Sequence, residues 1–264
     1  MSETFPSTAD GLMAVLRRLR GPDGCPWDKA QTRQTLTAHL AEECAELVDA
    51  LDRNDPASIC DEAGDLLMNL FLQVCIAEEQ GEFQLADVWR SEIDKMVRRH
   101  AHIFGTEQAE TAEDVTRLWE KIKQSERQNE KPDESILDRV PHYLSALNRA
   151  EKLQKKAAKT GFDWTDEAGI LAKIKEEVCE LENALASGSA EEVDSELGDL
   201  LFAAVNLARF RKRKDSEALL RQANAKFERR FRYIEKQLKA AGESLESADI
   251  RRMEELWQAA KKGE

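Results

Sequence analysis

The stretch 176–201, EEVCELENALASGSAEEVDSELGDLL, places two groups of acidic residues in an apolar background. The stretch 42–67, EECAELVDALDRNDPASICDEAGDLL, has the same arrangement 134 positions earlier. Both follow one pattern, E-E-x-x-E and then E-x-G-D-L-L, with equal spacing between the two parts. Acidic residues at fixed spacing among apolar ones require a counter-charge, and a hard divalent cation is the obvious candidate.

The composition of the chain and the repetition of its motifs predict an all-α protein built by tandem duplication of a helical bundle. Its 264 residues suffice for two domains, and 12 Gly and 6 Pro suit long helices with few turns. No alternation of period two is long enough to indicate a strand. We predict domains at 1–128 and 141–264, joined by a polar, Pro-containing linker at 129–140. The principal helices are expected at about 31–53, 57–80, 141–158, 167–187 and 190–213.

Charge and cysteine content exclude several classes of protein. The net charge of −13 argues against a general nucleic-acid or membrane surface. The sequence has no apolar run of about 18 residues, so we expect no membrane-spanning helix. The N-terminus lacks the features of a secretory signal. The five cysteines show no paired spacing, so we expect reduced thiols in a cytoplasmic protein.

The acidic motifs predict a metal site between packed helices. With 3.6 residues per turn, Glu42, Glu43 and Glu46 fall within an arc of roughly 100° that borders an apolar face. Unpaired carboxylates in such a place would be costly, or would take up protons. Two antiparallel helices would instead surround one pocket with carboxylates, and Mg²⁺ bound there keeps positions for water and substrate phosphates.

Two other interpretations compete with a magnesium site. In a chain this acidic, a single E-E-x-x-E motif is more often a solvated helix face. Its recurrence together with the second motif favours the metal site. A di-iron bundle would use Glu-x-x-His, but no histidine of this chain has Glu three positions before it.

A basic pair also recurs, in KMVRR at 95–99 and KFERR at 226–230. Lys226 and Arg230 are four residues apart, so they share a helix face and could hold one polyphosphate. The alternative is a pair of cations that stabilises a helix end or points to solvent. Recurrence beside the acidic motifs favours the phosphate role.

The two halves differ next to their acids. Lys173 lies four residues before Glu177, and His39 stands at the matching position of the first half. A permanent cation is thereby exchanged for a mostly neutral imidazole, so we expect the second half to be the stronger catalyst. Trp257, near the end of the chain, is either a packing residue or a platform for a base.

Taken together, the motifs resemble those of the MazG family of nucleoside triphosphate pyrophosphohydrolases, one branch of the all-α NTP pyrophosphatases. The resemblance covers nearly the whole chain. Its carriers are GCPWDKAQT (24–32), EECAE (42–46), EAGDLL (62–67), KMVRRHAHIFG (95–105), ALNRAEKLQKKAAKTGFDW (146–164), EEVCE (176–180), ELGDLL (196–201) and ANAKFERRF (223–231). The resemblance implies tandem MazG-type domains, an intertwined homodimer, and Mg²⁺-dependent conversion of NTPs or dNTPs to the monophosphate and pyrophosphate.

The resemblance also implies roles for individual residues. The implied metal ligands are Glu177, Glu180, Glu196 and Asp199 in the C-terminal copy, and Glu43, Glu46, Glu62 and Asp65 in the N-terminal copy. The first Glu of each copy, Glu176 or Glu42, would orient water or support the ligands during catalysis. The implied nucleotide contacts are Lys173, Lys226, Arg230 and Trp257.

Two alternatives stay open from the sequence. One is a regulatory helical dimer that binds a nucleotide or a partner protein without turnover. The other keeps the enzyme and narrows its substrate, to phosphoribosyl-ATP or to one pyrimidine dNTP.

Overall fold

The computed structural model describes residues 4–127 and 135–263. These residues form twelve α-helices and no strand, which confirms the all-α prediction. The chain divides into two compact units, Met1–Glu130 and Lys131–Glu264. The predicted linker at 129–140 lies partly outside the described residues, so the predicted domain boundaries stay a prediction. Among the described helices, none is long and apolar enough to cross a membrane.

The first unit is organised around a long apolar helix. Its described helices are α1 (Ala9–Arg20), α2 (Pro26–Ala30), α3 (Leu36–Arg53), α4 (Pro56–Glu79), α5 (Leu85–Arg99), α6 (Ala101–Phe104) and α7 (Ala112–Arg127). Both α3 and α1 pack against α4. The core they enclose contains Met13, Leu16, Leu36, Phe71, Leu72, Val74, Cys75, Ile76 and Leu85.

The second unit places a pair of long helices next to a shorter one. Its described helices are α8 (Ala146–Ala158), α9 (Glu167–Ser187), α10 (Ala190–Arg211), α11 (Ser216–Ala241) and α12 (Ile250–Lys262). Helix α10 packs against both α9 and α8, while α11 packs against α12. A core cluster of Ile234, Leu238 and Leu256 joins α11 to α12.

Side-chain caps and short connections position the acidic helices. Asp55 caps the start of α4, and Ser189 with Glu192 forms a capping box at the start of α10. The connection between the paired helices is two residues long in each unit, at 54–55 and 188–189. Connections this short make α3 and α4, and likewise α9 and α10, antiparallel neighbours.

Two predicted helices begin later than expected. The helix predicted from residue 31 begins at Leu36, because Thr32 and Thr35 each accept the other's backbone N–H on a hydroxyl. The helix predicted from residue 141 begins at Ala146. There Arg149 Nη1 donates to the carbonyl oxygens at positions 140 and 141, which holds the preceding chain outside the helix.

Candidate active site

One carboxylate from α9 meets two from α10 in the second unit. Glu177, Glu196 and Asp199 each place a carboxylate oxygen within 4.8 Å of the other two. Glu196 and Asp199 share a face of α10 because they are three residues apart. Glu177 is buried and Asp199 is exposed, so this C-terminal acidic cluster reaches from the helix interface to solvent.

The first unit repeats the arrangement. Glu43 on α3 and Glu62 and Asp65 on α4 place their oxygens within the same 4.8 Å limit. These three residues form the N-terminal acidic cluster. Glu46, the fourth predicted ligand, is not one of the three, but its charge adds to the desolvation that raises the pKa of Glu62.

Both clusters favour a bound cation. Desolvation and the charge of Asp65 raise the pKa of Glu43, while desolvation and the charge of Glu177 raise the pKa of Glu180. A cation between the carboxylates would relieve this repulsion. An all-oxygen donor set at this separation fits a hard divalent ion such as Mg²⁺ better than a thiolate- or imidazole-binding metal.

Lys173 provides a positive charge at the edge of the C-terminal acidic cluster. Its Nζ donates to Oε1 of Glu176 at 2.7 Å and lies 2.7 Å from Oε1 of Glu177. These two carboxylates raise the pKa of Lys173, so the ammonium keeps its proton. In the first unit the matching residue is His39, whose Nδ1 lies 3.8 Å from Oε2 of Glu42.

A cavity of about 900 Å³ opens beside the C-terminal acidic cluster. Its charged and polar lining comprises Gln154, Asp163, Lys173, Glu177, Glu180, Glu196, Asp199, Asn206 and Arg209. Its apolar lining includes Leu137, Leu153, Ala157, Phe162, Trp164, Phe202 and Ala203. The cavity thus joins a carboxylate-rich part to an aromatic part, and its volume suits a small-molecule ligand.

A family model described as the MazG nucleotide pyrophosphohydrolase domain matches residues 31–104 and 166–234. The chain belongs to the MazG family. The matched ranges contain both acidic clusters, and the predicted family and enzyme class are confirmed.

Curated relatives of this MazG chain carry related names. "Nucleoside triphosphate pyrophosphohydrolase" from Escherichia coli K12 is 42% identical over 97% of each chain. "Nucleoside triphosphate pyrophosphohydrolase/pyrophosphatase MazG" from Thermotoga maritima is 37% identical over 96% of this chain and 95% of its own. The crystal structure of a MazG-related protein from Thermotoga maritima matches with a TM-score of 0.38 and 27% identity, over 44% of this chain and 98% of that one.

The predicted nucleotide contacts of this MazG protein divide into two groups. Lys173 lines the cavity, whereas Lys226, Arg230 and Trp257 are not among its lining residues in the described structure. The Arg230 guanidinium lies 5.3 Å from the Trp257 ring centroid, and the Phe227 ring lies 5.5 Å from it. Within the second unit Phe227, Arg230 and Trp257 thus pack together on α11 and α12. The roles of Lys226, Arg230 and Trp257 in nucleotide binding stay a prediction.

Four polar residues of the MazG cavity were not predicted from the sequence. They come from α8, from the segment before α9, and from α10, so no local periodicity connects them. One signal was present, since Asn206 and Arg209 stand 134 positions after Leu72 and Cys75, where the first half is apolar. The four residues are Gln154, Asp163, Asn206 and Arg209.

Proposed function

We propose that this protein is a cytoplasmic nucleoside triphosphate pyrophosphohydrolase that releases a nucleoside monophosphate and pyrophosphate. We further propose that its C-terminal copy is the main catalyst. One observation carries the proposal: a single cavity of the second unit is lined by Lys173 together with the carboxylates of Glu177, Glu196 and Asp199. The names of the relatives from Escherichia coli and Thermotoga maritima support this substrate class.

The acidic residues would hold Mg²⁺. Glu177, Glu196 and Asp199 have the required donor atoms close together, and Glu180 lines the same cavity. When bound, Mg²⁺ neutralises phosphate charge and polarises the phosphoryl oxygens. The corresponding residues of the first unit would form a second, weaker site.

The residues beside the cluster would bind the triphosphate and move one proton. The Lys173 ammonium is placed to contact phosphate oxygens, and it also holds Glu176 through Oε1. Glu176 is exposed and would take the proton of the attacking water. The water oxygen bonds to the α-phosphorus as the bond from that phosphorus to the bridging oxygen breaks, and pyrophosphate leaves with the electron pair.

We also propose a homodimer. Large apolar side chains of α9 and α10 are exposed in the single chain, and exposed apolar surface is typical of interfaces. They include Val178, Leu185, Leu197 and Leu201. A neighbouring copy would also offer a route for Lys226 and Arg230 to reach the leaving pyrophosphate. A strictly monomeric chain in light scattering at micromolar concentration would contradict this.

The test of the proposed reaction is a substrate panel with product identification. Ribo- and deoxynucleoside triphosphates and phosphoribosyl-ATP are incubated in ¹⁸O-water, with Mg²⁺ or with EDTA. We expect monophosphate and pyrophosphate only with Mg²⁺, and the label in the monophosphate, because attack is at the α-phosphorus. Binding without turnover of any substrate would instead identify a regulatory nucleotide-binding protein. Release of inorganic phosphate as the primary product would contradict the site of attack.

A further inference from the structure

A buried hydrogen-bond acceptor in the wall of the C-terminal cavity has no partner. Gln154 on α8 is only 7% exposed and lines the cavity. Its Nε2 donates to the backbone oxygen of Phe202 at 2.9 Å. Its Oε1 is buried and makes no hydrogen bond within the described part of the chain. Buried polar atoms are nearly always paired, so an orphan acceptor in a ligand-sized cavity indicates that a donor belongs there.

The neighbouring group determines which way the Gln154 amide faces. A backbone carbonyl only accepts hydrogen bonds, so the NH₂ group must point at Phe202 and the oxygen must be the unpaired atom. Asn206, one turn along α10 from Phe202, is oriented in the opposite sense. Its Oδ1 accepts from Nε and Nη2 of Arg209 at 3.0 and 2.7 Å, so the amide nitrogen is the group it offers elsewhere.

The cavity that Gln154 lines has surface that suits a flat, partly polar ring. Phe162, Trp164 and Phe202 contribute aromatic surface to the cavity, and Leu153 contributes aliphatic surface. Aromatic surface binds bases by stacking, and the acidic cluster in the same cavity is where the proposed phosphates bind. A nucleotide whose phosphates lie at the carboxylates would therefore place its base among these side chains.

We propose that Gln154 is a base-recognition residue of the C-terminal copy. Its Oε1 accepts a hydrogen bond from an N–H on the edge of the nucleobase, and the Asn206 amide donates to the acceptor beside that N–H. This assignment rests on the proposed pyrophosphohydrolase function and names the part of the substrate that the aromatic end of the cavity binds. The alternative occupant of the orphan site is a water molecule.

The experiment compares Gln154→Met with the wild type on matched substrates. Methionine keeps the length and packing of the side chain and removes the acceptor. Each natural substrate is paired with an analogue that lacks one hydrogen-bond donor group of the base, either an NH₂ or an N–H. The pairs are ATP with purine riboside 5′-triphosphate, CTP with pyrimidin-2-one riboside 5′-triphosphate, and UTP with N3-methyl-UTP.

For at least one pair, the wild type should lose about 10- to 100-fold in kcat/KM with the analogue, because Oε1 is then left buried and unpaired. In Gln154→Met this gap should disappear for the two analogues that only lose an NH₂ group, and shrink for N3-methyl-UTP, whose methyl group also adds bulk. The natural substrate should be affected mainly through KM, because the contact is remote from the reacting phosphorus. Gln108→Met, the same change at an exposed position of the first unit, should leave both substrates and their ratio unaltered.

Three outcomes would overturn the inference: no gap for any pair in the wild type, gaps of equal size in Gln154→Met, or gaps that respond to Gln108→Met. The first needs no variant, so it stays decisive even where Gln154→Met fails to fold. If the site beside Oε1 holds only water, the gap between natural substrate and analogue has the same size in the wild type and in Gln154→Met. If the wild type turns over no natural NTP, the proposed function fails. If the wild type turns them over and the gaps are the same in Gln154→Met, only the role of Gln154 fails.

Discussion

The two units of this protein share an acidic cluster and differ in what lies beside it. In the second unit the neighbouring space is a cavity with Asn206 and Arg209 in its wall. In the first unit the residues 134 positions earlier are Leu72 and Cys75, which are 1% and 2% exposed and belong to the apolar core. Packed apolar side chains therefore occupy the part of the first unit that corresponds to this wall.

The comparison separates two requirements of the proposed catalyst. The carboxylate geometry needs only a pair of antiparallel helices, and both units have it. Space for a substrate depends on the third helix, which is α1 in the first unit and α8 in the second. It also depends on the side chains that α4 or α10 directs toward that helix. In the first unit that interface is packed core, which contains Met13 and Leu16 and stabilises the fold.

The largest expected difference between the units concerns the acids. Asp199→Asn or Glu177→Gln should lower pyrophosphate release at least about a thousandfold, because the metal ligands act as a unit in the transition state. The matched changes Asp65→Asn and Glu43→Gln should leave most of the activity. Steady-state kinetics with far-ultraviolet circular dichroism checks both. Equal losses from the two pairs would contradict the assignment of the C-terminal copy as main catalyst.

Cavity and core should respond differently to truncation. Leu72→Ala should destabilise the protein by about 2–5 kcal/mol, because it leaves a void in a packed core. Asn206→Ala, at the matching position, should cost only about 1 kcal/mol, the value of a lost polar contact beside an existing cavity. Urea unfolding of the full chain measures both. If Asn206→Ala lowered the free energy of unfolding more than Leu72→Ala, the contact between Asn206 and Arg209 would contribute more to stability than the packing of Leu72.

An exchange of the residues beside the acids tests the role of charge. Lys173→His should lower kcat/KM roughly 10- to 100-fold, because a preorganised cation next to the phosphates is lost. His39→Lys should add no measurable turnover, since the first unit has core where the cavity wall would be. The most sensitive test combines His39→Lys with Asp199→Asn, because turnover by the C-terminal copy is then removed. Restored activity there would mean that charge, and not space, separates the two copies.

The smallest expected effect concerns the ion pair between Asp163 and Arg209 in the cavity wall. Hydrogen bonds from Arg209 lower the pKa of Asp163. At the position that matches Arg209, the first unit has Cys75, which cannot form such an ion pair. Because the folded-state pKa is depressed, the stabilisation is complete above the ordinary carboxyl pKa of about 4 and is lost as the pH falls through the lower folded value. Asp163→Asn should therefore lower the melting temperature slightly at pH 7, and the difference should shrink toward pH 3. A difference that grows at acid pH would contradict this sign.

The acidic clusters could be predicted from the sequence because their geometry is local. Glu177, Glu196 and Asp199 lie on two helices that follow each other along the chain. Helix periodicity and a short connection are then enough to bring them together. Helix periodicity also predicts the long helices, but not the starts of α3 and α8, where side-chain hydrogen bonds to the backbone compete with helix formation.

The cavity could not be predicted, because it depends on contacts between distant segments. Gln154 and Phe202 are 48 positions apart, and Asp163 and Arg209 are 46 apart. Nothing in the local pattern around Gln154 distinguishes a buried acceptor from a solvated glutamine. The spacing of Lys226 and Arg230 predicts a shared helix face, but the distance of that face from the acids depends on packing.

The two-residue connections between the acidic helices bear on how duplicated enzymes diverge. Each connection, at 54–55 or 188–189, ends in a side-chain cap that starts the second helix at a defined residue. The alignment of the carboxylates is therefore inherited with the turn and requires no substrate to maintain it. After duplication, one copy can exchange its binding space for core while its metal ligands stay aligned. An intact acidic motif in such a repeat is consequently weak evidence that the copy still works as an enzyme.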